Sequence, residues 1–153
     1  MSKRVPNIAS LKDLIDEPLG HSEWHTISQQ QIQAFADATG DHQWIHVDVE
    51  RAERESPFEA PVAHGYLTLS LVPELLSQLL EVESLTNVVN AGIEKLRLPA
   101  AVPAGSRVRL VATIKNVRDL PSGGSRVVFA ISMETEGAAK PALTGQVVYL
   151  YFD

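Results

Sequence analysis

One apolar stretch limits the folds open to this chain more than any other feature. Between residues 64 and 82, apolar side chains stand at Leu67, Leu69, Leu71, Val72, Leu75, Leu76, Leu79 and Leu80. On a helix these positions cover much more than one stripe, so a helix here has to be buried on most sides. Pro73 lies inside the run and removes one backbone donor, which predicts a kink or an early end there. Four strand-like segments follow, at 87–98, 106–117, 126–136 and 143–152. Alternation is clear in Val108, Leu110, Ala112 and Ile114, and again in Val127, Phe129, Ile131 and Met133. Pro121, Ser122, Gly123 and Gly124 predict a hairpin turn, and Pro99, Pro103 and Gly105 separate the first two segments. A near-wholly apolar helix followed by long strands predicts one α+β domain over residues 1–153. Its antiparallel meander is expected to curl around the central helix.

The first sixty residues read as shorter pieces. Ser10 is placed to cap a short helix through Asp16, and Pro18 and Gly20 stop it. Residues 21–27 read as a strand, with His21 and His25 on its surface. Ser28 caps the next helix, with Ile32, Phe35 and Ala36 as its buried stripe. Gly40 stands just past that helix, where a left-handed conformation is needed. Asp48 can cap one or two turns through Glu55, and Pro57 and Pro61 make 56–62 an extended connector.

Composition excludes several classes of function. A net charge of -6 argues against nucleic acid or an anionic membrane surface as the main partner. With no cysteine there is no disulfide, thiolate nucleophile or thiolate metal site. The run from Leu67 to Leu80 carries Glu74, Ser77 and Gln78, and is too short and polar to span a bilayer. The N-terminal residues lack the apolar run of a signal peptide, so the cytoplasm is the expected location.

Chemistry concentrates in Gly40-Asp41-His42-Gln43-Trp44-Ile45-His46, a loop leaving a helix. A carboxylate and an imidazole on one tight loop can both reach a single water molecule. Histidine suits a proton relay because its ordinary pKa lies near neutral pH. Asp41 and His46 are therefore the candidate catalytic pair, with acid and base left unassigned between them because coupled groups titrate jointly. Asp41 could instead simply fix the loop. His42 and His46 stand four apart, which would suit a metal on a helix, but Gly40 argues for a loop and no metal site is expected. Downstream, Ala63-His64-Gly65 precedes the apolar helix. Gly65 has no side chain to obstruct a substrate. In the first helical turn its N–H has no intrahelical partner and lies at the positive end of the dipole, an arrangement suited to an oxyanion.

Three stretches in this order, Ala38-Thr39-Gly40-Asp41-His42-Gln43-Trp44-Ile45-His46, Ala63-His64-Gly65 and Lys95-Leu96-Arg97-Leu98-Pro99, resemble the MaoC-like (R)-specific enoyl-CoA hydratases across essentially the whole chain. The resemblance implies a single hotdog domain and the hydration of a trans-2-enoyl thioester to the (R)-3-hydroxyacyl product. Gln43-Trp44 replaces the Asn-Pro of many members and is similar to a branch close to nodulation protein N; a different loop shape and acyl selectivity follow. The resemblance implies Asp41, His46 and the Gly65 amide as the catalytic groups. It implies Gln43, Trp44, His64, Asn90, Gly92, Lys95 and Arg97 as substrate-binding residues, with no cofactor. It also implies a coenzyme A or acyl-carrier-protein thioester as substrate, and a homodimer in which two sheets join edge to edge.

Several assignments stay open at this level. Trp44, Ile45, Phe58 and Val62 line an acyl tunnel or serve as core and dimer contacts. Lys95 and Arg97, alternating with Leu96 and Leu98, are expected to share one face and either meet coenzyme A phosphates or form a solvated edge. His64 is either a substrate contact or an anchor for its loop. Two other functions fit the same fold: a hotdog thioesterase, and a non-catalytic acyl-binding subunit. The second would lack Asp41 or His46, and both are present.

Overall fold

The computed structural model describes residues 2–153. In chain order they form β1 (Lys3–Val5), a 3-10 helix (Ile8–Leu14), β2 (Pro18–His21), β3 (His25–Thr26), α1 (Gln29–Thr39), α2 (Trp44–Val47) and α3 (Val49–Glu55). Then come α4 (Gly65–Ser70), α5 (Val72–Ser77), β4 (Leu80–Val82), β5 (Asn87–Arg97), β6 (Arg107–Asp119), β7 (Ser125–Thr135) and β8 (Leu143–Phe152). The long strands arise where alternation predicts them. Val108, Leu110, Ala112 and Ile114 of β6, Val127, Phe129, Ile131 and Met133 of β7, and Leu143, Val147, Tyr149 and Tyr151 of β8 are all buried. That inward face packs in one core with Leu67, Val72, Leu75, Leu76 and Leu79 from the helical layer. The domain is α+β, with an antiparallel sheet against a central helix.

The central helix is interrupted beside Pro73, as expected. It breaks into α4 and α5 at Leu71, and Pro73 sits in the first turn of α5. Pro73 has no N–H for the Leu69 carbonyl, so the i to i−4 ladder fails there. The Leu71 N–H is shared between the Leu67 and Thr68 carbonyls at 3.2 and 3.3 Å. The helix also ends at Ser77 rather than near residue 82. Leu80–Val82 is a strand, parallel to β1 in the register Lys3↔Leu80, Arg4↔Glu81, Val5↔Val82.

The sheet order is β2-β6-β7-β8-β5, with β3 also on β6. The expected simple meander therefore holds only for β6, β7 and β8. β5 pairs with β8 on the far edge. Its connection to β6 contains Pro99 and Pro103, and it leaves the sheet to pair with the 61–63 connector. Ala63 N–H donates to the Val102 carbonyl at 2.8 Å and Ala104 N–H to the Pro61 carbonyl at 2.9 Å. This small ladder fixes the start of α4.

Other local expectations shift in detail. Asn7, not Ser10, caps the first short helix: its side chain accepts from Ser10 N–H at 3.0 Å, so the helix starts earlier and is 3-10. The 21–27 strand divides into β2 and β3 at Ser22, whose Oγ accepts from Leu110 N–H at 2.9 Å. Asp41–Val47 is only partly loop, because Trp44–Val47 closes one helical turn. Ser28 and Asp48 cap α1 and α3 as expected, accepting from Gln31 and Arg51 N–H at 3.0 and 3.1 Å. Among the described residues no helix is long and apolar enough to cross a membrane.

Candidate active site

The site begins where α1 stops. Gly40 takes the left-handed conformation (φ 82, ψ 2) and its N–H closes on the Ala36 carbonyl at 2.8 Å. A side chain there would be strained, so glycine is what allows the turn. The chain then presents Asp41, whose Oδ1 accepts from Gln43 N–H at 3.3 Å. Its N–H contacts Thr39 Oγ1 at 3.4 Å, and Thr39 in turn donates to the Phe35 carbonyl. The Asp41 side chain is 54% exposed.

His46 lies in the following helical turn and is buried. Its Nδ1 is 2.6 Å from the Val62 carbonyl oxygen. A carbonyl only accepts, so in the neutral ring Nδ1 carries the hydrogen and Nε2 keeps its lone pair. Val62 N–H returns a bond to the Ile45 carbonyl at 3.0 Å, and Gln29 Nε2 holds the His46 carbonyl at 2.7 Å. The ring is thereby fixed from two sides.

His64 stacks on His46 with centroids 3.9 Å apart and planes 23° apart. Its Nε2 lies 3.0 Å from the Asp41 carbonyl oxygen and 4.0 Å from Asp41 Oδ2. Asp41, His46 and His64 each bring one side-chain donor atom within 4.8 Å of the others. Proximity alone would suggest a metal. The geometry does not suit one: imidazole lone pairs lie in the ring plane, and two nearly parallel stacked rings point them side by side rather than at one ion about 2.1 Å from each. His42 is not part of this group. It turns back to Asp37, with Nε2 3.0 Å from Oδ1, and that contact raises the His42 pKa and lowers that of Asp37.

Gly65 is the first residue of α4, next in sequence to His64. A Cβ built on it would lie 2.6 Å from Leu98 Cδ1, so the Leu98 side chain roofs the glycine. Gly65 opens into a cleft of about 360 Å³ lined also by Phe58, Thr68, residues 98–102 and Ala142. Asp41 and His46 are not among its walls.

The remaining expected residues divide. Trp44 is partly buried, with the Arg51 guanidinium 4.1 Å from its ring centroid. Asn90 and Gly92 line a larger cleft of about 570 Å³ with Leu69, Val72, Ile93, Val147 and Tyr149. Burial pushes the Tyr149 phenol up to about 12. Lys95 and Arg97 do not share a face by simple alternation. A bulge between Glu94 and Arg97 inserts an extra residue opposite Gly145, and Lys95 takes φ 54 there. Neither lines the two clefts. Gln29 and Phe35 were not expected at the site, and Val62 was expected only as a tunnel, core or dimer contact. Val62 acts through its carbonyl, which no side-chain pattern reveals.

The MaoC like domain profile matches residues 10–134. The chain is 43% identical over 145 residues to 3-hydroxyacyl-thioester dehydratase Z of Mycobacterium tuberculosis, covering 95% of each chain. It is 37% identical over 149 residues to nodulation protein N of Rhizobium leguminosarum bv. viciae, covering 96% of this chain and 92% of that one. Among solved structures, the unliganded R-hydratase PhaJ1 from Pseudomonas aeruginosa superposes with a TM-score of 0.71 at 22% identity, over 88% of this chain and 79% of that one. The (R)-hydratase from A. caviae gives 0.69 at 23% identity, over 85% and 91%. With the profile spanning most of the chain and a named dehydratase matching it almost end to end, the chain belongs to the MaoC-like dehydratases, hydro-lyases on the hotdog fold.

Proposed function

We propose that the protein interconverts trans-2-enoyl and (R)-3-hydroxyacyl thioesters. The observation that carries this reading is the locked His46 ring. With Nδ1 given to Val62, Nε2 keeps its lone pair, and His46 belongs to the group in which Asp41, His46 and His64 each bring one side-chain donor atom within 4.8 Å of the others. A water shared by Asp41 and His46 gives up a proton to the pair as its hydroxide adds to Cβ, and Cα receives a proton from the same pair. Charge then builds on the thioester oxygen, where the Gly65 N–H at the start of α4 donates to it. Run in reverse, the same groups eliminate water.

The cleft between α4–α5 and β5 suits the acyl chain. Its apolar walls start about one helical turn, roughly 6 Å, along α4 from Gly65. Asn90 and Gly92 line that cleft, and Gln43, Trp44, Lys95 and Arg97 remain candidates for contacts to the carrier, coenzyme A or an acyl-carrier protein. β5 is an edge strand exposed along nearly its whole length, with Val88, Val89 and Ile93 open to solvent. An unpaired apolar edge of this length favours strand pairing, and a second copy of the chain is the proposed occupant.

Incubation with crotonyl-CoA tests the reaction. The enoyl absorbance is expected to fall without release of free thiol, and chiral chromatography should identify the (R) product. Release of thiol instead would make the protein a thioesterase. Asp41→Asn and His46→Ala are each expected to lower kcat by about 10²–10⁴-fold with fold and assembly retained. Near-normal turnover in either variant would remove the pair from the mechanism.

A further inference from the structure

His64 makes more specific contacts than filling the core requires. It is 3% exposed, and its ring meets three different parts of the site. Nε2 reaches the Asp41 carbonyl at 3.0 Å, one face stacks on His46 at 3.9 Å, and Phe35 of α1 packs 4.9 Å away at 54°. Its two preceding residues are committed as well. The Val62 carbonyl accepts from His46, and Ala63 N–H binds the β5–β6 connection. The next residue is Gly65.

Because the Asp41 carbonyl can only accept, the neutral His64 ring carries its hydrogen on Nε2. Its Nδ1 is then a bare acceptor, buried and without a hydrogen-bond partner among the described residues. A phenylalanine would fill the same space and keep both ring contacts without an orphaned nitrogen. The imidazole supplies something phenylalanine would not: an N–H for the Asp41 backbone.

We propose that His64 is a positioning residue that ties the Asp41 loop to the start of α4, so that the proton-transfer pair and the Gly65 amide are held at one fixed separation. It rests on the hydratase reading and adds to it. The ring touches no reacting atom; it acts through Asp41 and His46. Displacement of a reacting group by about 1 Å can cost about 10²-fold in rate, which is the scale expected when the tether is lost.

Two variants and a spectroscopic measurement test this. His64→Phe keeps the stack and removes the donor. His64→Gln keeps a side-chain N–H. The expected result is that His64→Phe lowers kcat by about 10²-fold with KM nearly unchanged, and that His64→Gln recovers roughly tenfold of that loss. Wild-type kcat in His64→Phe, or a Gln variant no better than Phe, would overturn the proposal. Imidazole ¹⁵N spectra of the wild type should show His64 with hydrogen on Nε2, and His64→Phe should shift the backbone amides of residues 41–43 while the melting curve stays close to wild type. Hydrogen on Nδ1, or unmoved amides, would also overturn it. These spectra need no substrate. A wild type inactive on enoyl thioesters would refute the hydratase reading, while the spectra would still decide whether the tether exists.

Discussion

The Val62 carbonyl sets the state of His46, and His64 does the same for the Asp41 backbone, so two of the site's determining contacts go to main-chain oxygens. Asp41 was legible as a candidate because Ser28 and Gly40 mark both ends of α1 and place it on the turn that follows; His46, expected on the same loop, stands in a helical turn instead. The role of Val62 was not legible, since every residue carries a carbonyl. His42 stands between the pair in sequence and belongs to a separate contact with Asp37. Its pKa is raised by that hydrogen bond, so the contact contributes fully below pH 6.5 and is lost as pH rises through the higher folded value. The Asp37 pKa is lowered, so its contribution is present above 3.8 and lost as pH falls through the lower value. The pair is thus complete between those two folded values. An NMR titration should place His42 above 6.5, and Asp37→Asn should bring it back down. An unchanged His42 titration in that variant would mean the contact does not form in solution.

Among the elements, α4 opens on Gly65, the proposed oxyanion donor. It is six residues long, and its first residue sits under Leu98 from the β5–β6 connection. Gly65→Ala puts a Cβ against Leu98 Cδ1, the far end of a half-exposed side chain that can move aside. The cost in stability is expected to be small, while kcat falls by about 10²-fold because the methyl crowds the approach to the amide. Thermal melting and steady-state rates on one sample check both halves. A large loss of melting temperature with normal turnover would place the role of Gly65 in packing instead. The long strands were legible because alternation over ten or more residues is unambiguous. β4 was hidden, because three residues at the end of an apolar run show no period that separates strand from helix.

At the scale of the whole molecule, β5 forms one edge of the sheet. Ile93 on that edge is 45% exposed, on the same face as Val147 across the ladder. Ile93→Asp is expected to shift the protein from dimer to monomer in light scattering, by placing a charge where a second sheet edge would pair. A monomeric wild type would refute the edge-pairing proposal outright.

The sequence by itself determined the buried central helix, the three strands of the meander, the turn that presents Asp41, and the glycine opening α4. Caps, turns and periodicity act within a few residues, so they are written locally. Tertiary structure alone decided that β5 lies beside β8, that Leu80–Val82 pairs with β1, and that His64 stacks on His46 beneath Asp41. Those contacts join residues from 18 to 77 positions apart. Only the packing of the finished core brings them together.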